Sequence, residues 1–430
     1  MEEGGQPMRV GQIHTDRTAR LVVPVVFFLT GLGLLAIGLA VVFTSGSTIV
    51  ELPPSSWPVV ALVHGFTLGF LTLVMMGALY QLTPVLTNQP PISPRWIWPQ
   101  GIGYLAGLAG FIGGLVRARP LWLAAGGSLL LLSILGFAVL IASRLVRQKI
   151  WTIPLLFIAT AVAYLVLTAC MGSWLAWGYL GLPVTPLKPL WVHFSVGLGG
   201  WLGFLLMGVS YRLWLMFLPS RKQPQWWQWT YGLQQSAVIT GIVSGFMGWR
   251  AGFIGAWLLA MGAWGTWAWD ILGLVRANRL FRHEPALWLP AVGGLFAGFA
   301  WIGGLMTWLN VVQWWRAILV AYVVGWVGLS FLGFVQKIIA FLLWLHRYSH
   351  VHGQGKMPRL TDIFPPRWSF VVAASTIPGV TLWVVGWTIS AVDVARTGVA
   401  VLGLGVIILT VAILVALVRK LKPRPLSTSG

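Results

Sequence analysis

The chain has 430 residues, of which 58% are hydrophobic and only 8% are charged. A soluble domain carries about a quarter of its residues as charged side chains, so this composition excludes a water-soluble globule and predicts an integral membrane protein. The net charge of +20 is not gathered in any hydrophilic module, which argues against a nucleic-acid partner. The single cysteine, Cys170, excludes a disulfide framework and a thiolate metal cluster.

Twelve apolar stretches follow one another along the chain, each near the length of about 20 residues that a bilayer-crossing helix needs. They are too long and too uniformly apolar for the strands of a membrane β-barrel. The sequence therefore predicts an all-α membrane bundle that forms one transmembrane domain over residues 1–430. The predicted spans are 20–44, 57–86, 96–116, 121–143, 153–180, 190–218, 229–249, 251–275, 287–308, 316–345, 368–391 and 397–418.

The distribution of basic residues predicts the orientation of these spans. With the N-terminus inside, 22 of the 28 Lys and Arg residues fall on the inner side and six on the outer side. Basic residues are retained on the cytoplasmic side of membrane proteins. We therefore expect a multi-pass protein of the cell membrane with both termini in the cytoplasm. The six outer residues are Arg117, Arg119, Lys188, Arg250, Arg316 and Arg396.

A short sequence frame recurs in the second, sixth and tenth spans. Its copies open at Gly69, Gly200 and Gly325, and each has a second glycine eight residues later. Glycine serves close helix packing in any membrane protein, which accounts for one copy but not for three copies in register. The frame predicts three pseudo-symmetric four-helix units, at about 20–143, 153–275 and 287–418.

Two of these copies follow a histidine. The segment from His64 to Pro84 contains His64-Gly65-Phe66 and then Gly77-Ala78-Leu79-Tyr80-Gln81-Leu82-Thr83-Pro84, and the sixth span runs from His193 to Tyr211-Arg212-Leu213. Together with the helix plan, this pattern resembles subunit I of the haem-copper oxidase superfamily, which includes the cytochrome c oxidases, the nitric oxide reductases and the smaller NnrS-type proteins. The resemblance implies a twelve-helix fold of that type, with His64 and His193 as axial ligand candidates for haem b and Tyr80 and Tyr211 as pocket candidates.

The sequence departs from the family's pattern in the tenth span and after the sixth. Residues 317–345 and 219–282 contain no histidine, and Gly197 stands where the family has a tyrosine. These departures exclude a three-histidine copper site and a haem held between the second and tenth spans. We therefore expect no copper centre and no proton-pumping oxygen reduction.

The two histidines also have a plain structural interpretation, as side chains bonded to a backbone carbonyl or lining a polar cavity. At 100° per residue, His64 and His193 lie some 160° apart in the common frame of the repeat. We therefore expect them to face different spaces between helices. Each haem would then be five-coordinate and open to a gas, and one haem between both histidines would need the angle to close.

Five further polar residues near the predicted inner face are candidates for sites. Arg212, Asp270 and Lys337 are charged at membrane depth, where an ion pair would satisfy them; Arg and Lys can also extend to the surface. His346 and His350 are four residues apart on one helical face, a spacing that suits a metal. Without a third ligand or a nearby acid this signal is weak, and a solvated inner-loop segment is the favoured interpretation.

The leading functional hypothesis is a haem-binding membrane protein for electron transfer, or for binding or turnover of a diatomic gas such as nitric oxide. The alternative is a haem-free transporter or anchor subunit on the same twelve-helix fold. Whether the protein is an enzyme stays open. The expected partners are the lipid bilayer and other membrane or redox subunits.

Overall fold

The computed structural model describes residues 20–183, 188–220, 222–348, 357–419 and 421, and within these ranges all regular structure is helical. Short connections with Pro, Gly and Trp join the helices, and two short helical turns (Arg279–His283 and Leu360–Ile363) lie between the longer ones. In chain order the long helices are α1 (Val22–Glu51), α2 (Trp57–Thr87), α3 (Pro94–Val116), α4 (Pro120–Leu145), α5 (Ile153–Gly178), α6 (Leu190–Phe217), α7 (Trp227–Met247), α8 (Arg250–Arg276), α9 (Pro285–Trp308), α10 (Trp315–Tyr348), α11 (Pro366–Thr388) and α12 (Val392–Val418).

Eleven of these helices are long and apolar enough to cross a membrane. The remaining helix is α7, whose glutamines Gln228, Gln234 and Gln235 lower its hydropathy. The prediction of an all-α membrane protein is confirmed, and the twelfth crossing stays a prediction. The protein is accordingly embedded in the bilayer and contacts lipid.

The long helices cross the bundle in alternating directions. We call the face where α1 begins the proximal face and the face where it ends the distal face. At the distal face, Nη2 of Arg316 at the start of α10 donates to the carbonyl of Leu52, at 3.0 Å. At the proximal face, Arg347 at the end of α10 donates to the carbonyl of Arg419, at 2.9 Å. The excess of basic residues predicts that the proximal face is cytoplasmic.

The helices that carry the repeated frame, α2, α6 and α10, contact one another around a common centre. Each pair is joined by a direct side-chain contact, so none of the three is separated from the other two. The contacts are Trp201 Nε1 to Thr72 Oγ1 at 3.0 Å, Tyr322 Oη to the Leu198 carbonyl at 3.0 Å, and Phe70 to Phe331 with 5.6 Å between ring centroids.

The second glycine of each frame packs against the helix that precedes its own. A Cβ at any of these positions would overlap the neighbour, so only glycine permits the approach. The contacts are Gly77 to Phe27 of α1, Gly208 to Phe157 of α5, and Gly333 to Ala286 of α9. The three copies of the frame therefore make equivalent contacts, and α3–α4, α7–α8 and α11–α12 form closely packed helical hairpins beside them.

Each copy of the frame also begins inside a π-helical segment. The segments are Gly65–Thr72 in α2, Ser195–Gly203 in α6 and Ala321–Gly328 in α10. A π-helix forms its hydrogen bonds from residue i to i+5, is rare, and often lies at functional sites. The repeated sequence is thus accompanied by a repeated local conformation that neither composition nor apolar periodicity predicts.

Candidate functional site

His64 and His193 lie just before the π-helical segments of α2 and α6, in the distal half of the bundle. Their imidazole rings face each other across the gap between the two helices. The ring centroids are 6.0 Å apart and the ring planes are inclined by 23°. The expectation that both histidines lie at a similar depth is in keeping with this geometry.

The expectation that the two histidines face different spaces is wrong. It assumed 100° per residue between each histidine and the glycine of its frame, but Gly69 and Gly200 both lie inside π-helical segments. A π-helix closes its hydrogen bonds over i to i+5, so each residue contributes less rotation than in an α-helix. Moreover, α2 and α6 are neighbours around one centre. Two helices in such an arrangement contact each other through different faces, so the angle between the histidines in the common frame does not give the direction from one helix to the other.

The hydrogen bonds of both imidazoles leave the same nitrogen available. Nδ1 of His64 lies 2.8 Å from the carbonyl of Val60, and Nδ1 of His193 lies 3.0 Å from the carbonyl of Thr168. Because a carbonyl only accepts, each Nδ1 must carry the hydrogen. In a neutral imidazole the lone pair is then on Nε2, which has no hydrogen-bond partner among the described residues. A backbone carbonyl on the other nitrogen is typical of metal-ligating histidines.

Side chains and backbone from α3 and α5 complete the surroundings of the pair. Phe111 of α3 packs against His64, with 5.2 Å between ring centroids. His193 lies against α5, where a Cβ added to Gly172 would come within 3.0 Å of its Cε1 atom. The glycine therefore makes the room in which the His193 ring lies beside Thr168.

The helices around the histidine pair are only partly buried by the rest of the protein, whereas the equivalent part of α10 is fully buried. Residues 62–65 of α2, 197–199 of α6 and 166–172 of α5 are all half-buried, whichever way their side chains point. Every residue from 321 to 336 of α10 is buried. The rest of the protein therefore covers α2, α5 and α6 only partly beside the histidines.

The pair fits two axial ligands of one haem. An imidazole–metal–imidazole unit places its ring centres about 6 Å apart, because each bond to a metal is about 2.0–2.1 Å and each ring adds about 1.1 Å. The centroids of the two rings are 6.0 Å apart, which is close to that distance. No group of three or more His, Cys, Asp or Glu residues that could hold a metal ion occurs in the described part of the chain. A two-histidine site therefore suits a metal whose remaining ligands belong to a porphyrin.

Tyr80 and Tyr211 lie in the proximal half, away from the histidines. Each is 16 or more residues further along its helix, a distance of about 24 Å at 1.5 Å per residue. Tyr80 donates to Oε1 of Gln100 at 2.8 Å, and Tyr211 donates to Oδ2 of Asp270 at 3.3 Å. Both are buried by these contacts, and neither lines the space around the imidazoles.

The three charged candidates do not pair with one another. Lys337 forms an ion pair with Glu284, which lies at the start of α9. Asp270 accepts hydrogen bonds from the backbone N–H groups of Gln225 and Trp226, at 2.9 and 3.0 Å, and so anchors the connection between α6 and α7. Arg212 is exposed, as expected of a side chain that extends to the membrane surface.

Of the two histidines near the end of α10, the structure describes only His346. Nδ1 of His346 lies 2.9 Å from the carbonyl of Leu342, one turn back along its own helix. His350 lies outside the described residues. The favoured interpretation of this pair as a solvated inner-loop segment, and the weaker one as a metal site, both stay predictions.

Three contributors to the site have no signal in the sequence motifs. Thr168 contributes only its backbone carbonyl, which any residue could supply. Phe111 is one of 21 phenylalanines in the chain. Gly172 interrupts the apolar run of α5, and a glycine inside a membrane helix indicates close packing, but its neighbour cannot be read from the sequence.

Comparison of the chain with protein-family models and with curated proteins finds no match. The resemblance to haem-copper oxidase subunit I thus depends on the motifs around His64 and His193 and on the helix plan.

Proposed function

We propose that this protein is a membrane-embedded b-type haem protein in which His64 and His193 are the two axial ligands of one haem. The observation that carries the proposal is the facing pair of imidazoles, 6.0 Å apart, each with its Nδ1 held by a backbone carbonyl. The haem-copper oxidase scaffold is part of the proposal, without the copper centre and without oxygen reduction.

The protein's contribution is to hold two neutral imidazoles with their Nε2 lone pairs available. The carbonyls of Val60 and Thr168 fix the tautomer and the ring orientation, and such outer contacts also raise the basicity of a ligating histidine. Gly172 allows His193 to stay against α5. Phe111 packs against His64 and so places an apolar ring on one side of the pair.

A haem held by two histidines supplies one-electron oxidation and reduction. Because both axial positions are then occupied by protein, electron transfer is favoured over binding or turnover of a gas. The histidines lie toward the distal face, so the proposed redox partner meets the protein from that side. With both termini in the cytoplasm, as the basic residues predict, this side is the outer one.

The test is the haem content of the purified protein, expressed with ample haem. We expect one haem per chain, with the absorption spectrum of a low-spin six-coordinate haem. Carbon monoxide should leave the spectrum of the reduced protein unchanged. His64→Ala and His193→Ala should each lose that spectrum.

The matched control is His283→Ala, because His283 is exposed and lies at the proximal end of the bundle. It should keep the full haem content. A colourless wild-type protein would refute the proposal and favour the haem-free transporter or anchor. Full haem content in both histidine variants would show that other residues hold the haem.

A further inference from the structure

The central helices α2 and α10 border a second space, which neither His64 nor His193 lines. It is an apolar cleft in the distal half, between α1, α2, α10 and α11, with about 510 Å³ of empty space including its open mouth. The lining residues that matter here are Ile49, Val63, Phe66, Val323, Trp383 and Trp387.

The third space of this kind, between α6 and α10, is filled by aromatic side chains. Tyr322 and Trp267 both pack edge-on against Trp326, at 5.1 and 5.8 Å between ring centroids. Trp326 itself is fully buried. The cleft beside α2 is therefore not a general consequence of the repeat, since aromatic side chains fill the space between α6 and α10 and leave the one beside α2 open.

Two side chains with polar groups border the cleft, and one of them is a cation. Arg316 lies over the ring of Trp315, with Cζ 4.4 Å from the centroid, and its Nε is buried without an acceptor among the described residues. Trp383 is 1% exposed, and its Nε1 also has no acceptor among those residues. The lining contains no carboxylate. Both nitrogen atoms are buried and add nothing to the surface of the cleft. The cleft therefore has apolar walls, with the positive charge of Arg316 beside its distal end.

The charge and the apolar lining are arranged along the membrane normal. Arg316 lies at the distal face, where it also donates to the carbonyl of Leu52, and tryptophans such as Trp315 and Trp387 are typical of the headgroup level. The apolar part of the cleft extends from there along the first halves of α2 and α10. An anionic headgroup at Arg316 would accordingly place its acyl chain between these helices. Basic pockets between membrane helices recognise lipid headgroups in this way.

We propose that the cleft binds an anionic phospholipid of the distal leaflet, with its phosphate at Arg316 and one acyl chain between α2 and α10. This proposal is independent of the haem. It follows from charge complementarity at Arg316 and from the wholly apolar walls below it.

The test uses the full-length protein in a mild detergent. Native mass spectrometry and thermal unfolding are followed while dioleoyl phosphatidylglycerol or dioleoyl phosphatidylcholine is added. We expect the wild type to keep one phosphatidylglycerol and to bind it at least tenfold more tightly than phosphatidylcholine. Arg316→Gln should lose that preference, whereas Arg316→Lys should retain part of it because the positive charge remains.

Two further variants separate the cleft from general surface charge. Arg250→Gln is the matched control, since Arg250 also lies at the distal face and donates to a backbone carbonyl, that of Trp308, but does not line the cleft. It should bind phosphatidylglycerol as the wild type does. Val323→Trp fills the cleft and should abolish binding of both lipids.

Three results would overturn the proposal. The first is an unchanged preference for phosphatidylglycerol in Arg316→Gln. The second is unchanged lipid binding in a folded Val323→Trp protein. The third is displacement of the bound phosphatidylglycerol by oleate or by a short-chain quinone at equal concentration, which would assign the cleft to one of those molecules.

Discussion

Gly172 of α5 offers a substitution that changes the proposed haem site without weakening its own helix. A Cβ at this position would lie 3.0 Å from Cε1 of His193, whereas ordinary contacts begin at 3.4 Å. In Gly172→Ala the imidazole must therefore move by at least about 0.4 Å. That movement lengthens the contact of Nδ1 with the Thr168 carbonyl, which is 3.0 Å in the native protein, or turns Nε2 away from His64.

The expected effect is a loss of haem affinity. Disturbing the outer contacts of a metal-ligating histidine costs about 10–100-fold in affinity, which is about 1.4–2.8 kcal/mol. Alanine, by contrast, is favoured over glycine in a helix interior by about 1 kcal/mol. We therefore predict that Gly172→Ala binds haem about 10–100-fold more weakly, while the haem-free protein unfolds at the same or a higher temperature.

The assay is a haem titration of the haem-free protein, followed by absorption, together with thermal unfolding followed by tryptophan fluorescence. Gly255→Ala is the matched control, because a Cβ there meets nothing within 4 Å. It should leave the haem affinity unchanged. Wild-type affinity in Gly172→Ala would refute the assignment of His193 as a ligand in this geometry.

The remaining predictions concern the proximal half of the bundle. Glu284→Gln leaves Lys337 partly buried without its counterion, which we expect to lower the free energy of unfolding by roughly 3 kcal/mol. Thermal unfolding should show this loss, and the double variant Glu284→Gln/Lys337→Met should recover part of it. Asp270→Asn loses one carboxylate acceptor for backbone N–H groups and should lower stability by about 1–3 kcal/mol with unchanged haem content. His346→Ala should leave the metal content per chain unchanged; a loss of one bound metal would contradict this expectation.

Much of the fold could be predicted from the sequence because a bilayer imposes simple rules. Runs of about 20 apolar residues mark the helices, and the structure places eleven of them within a few residues of most predicted bounds. The first helix is longer than predicted because Glu51 and the polar residues before it continue the helix beyond the apolar run. Helix α7 shows the limit of this reasoning, since its glutamines make its hydropathy ambiguous.

The repeat could also be predicted from the sequence, because glycines at helix contacts cannot be replaced freely. Gly77, Gly208 and Gly333 all pack against the preceding helix, as three copies of one frame should. The π-helical segments could not be predicted from the sequence. They contain ordinary apolar residues and glycines, and their extra residue per turn changes the faces on which His64 and His193 lie.

The residues of the candidate site could be predicted from the sequence, but their arrangement in space could not. His64 and His193 stand out because ionisable groups are rare inside the bilayer. Their facing arrangement depends on backbone conformation and on a carbonyl of α5, which leave no mark in the sequence. Glu284 was likewise missed as the partner of Lys337, because it lies just outside the apolar run of α9.

The central claim is that one haem has His64 and His193 as its two axial ligands. Near-infrared magnetic circular dichroism of the oxidised protein tests it most directly, because the charge-transfer band reports which side chains ligate a low-spin haem. We predict a bis-histidine band in the wild type that is absent from both His64→Ala and His193→Ala. A wild-type spectrum with a single histidine ligand, or a bis-histidine band that survives either substitution, would contradict the claim.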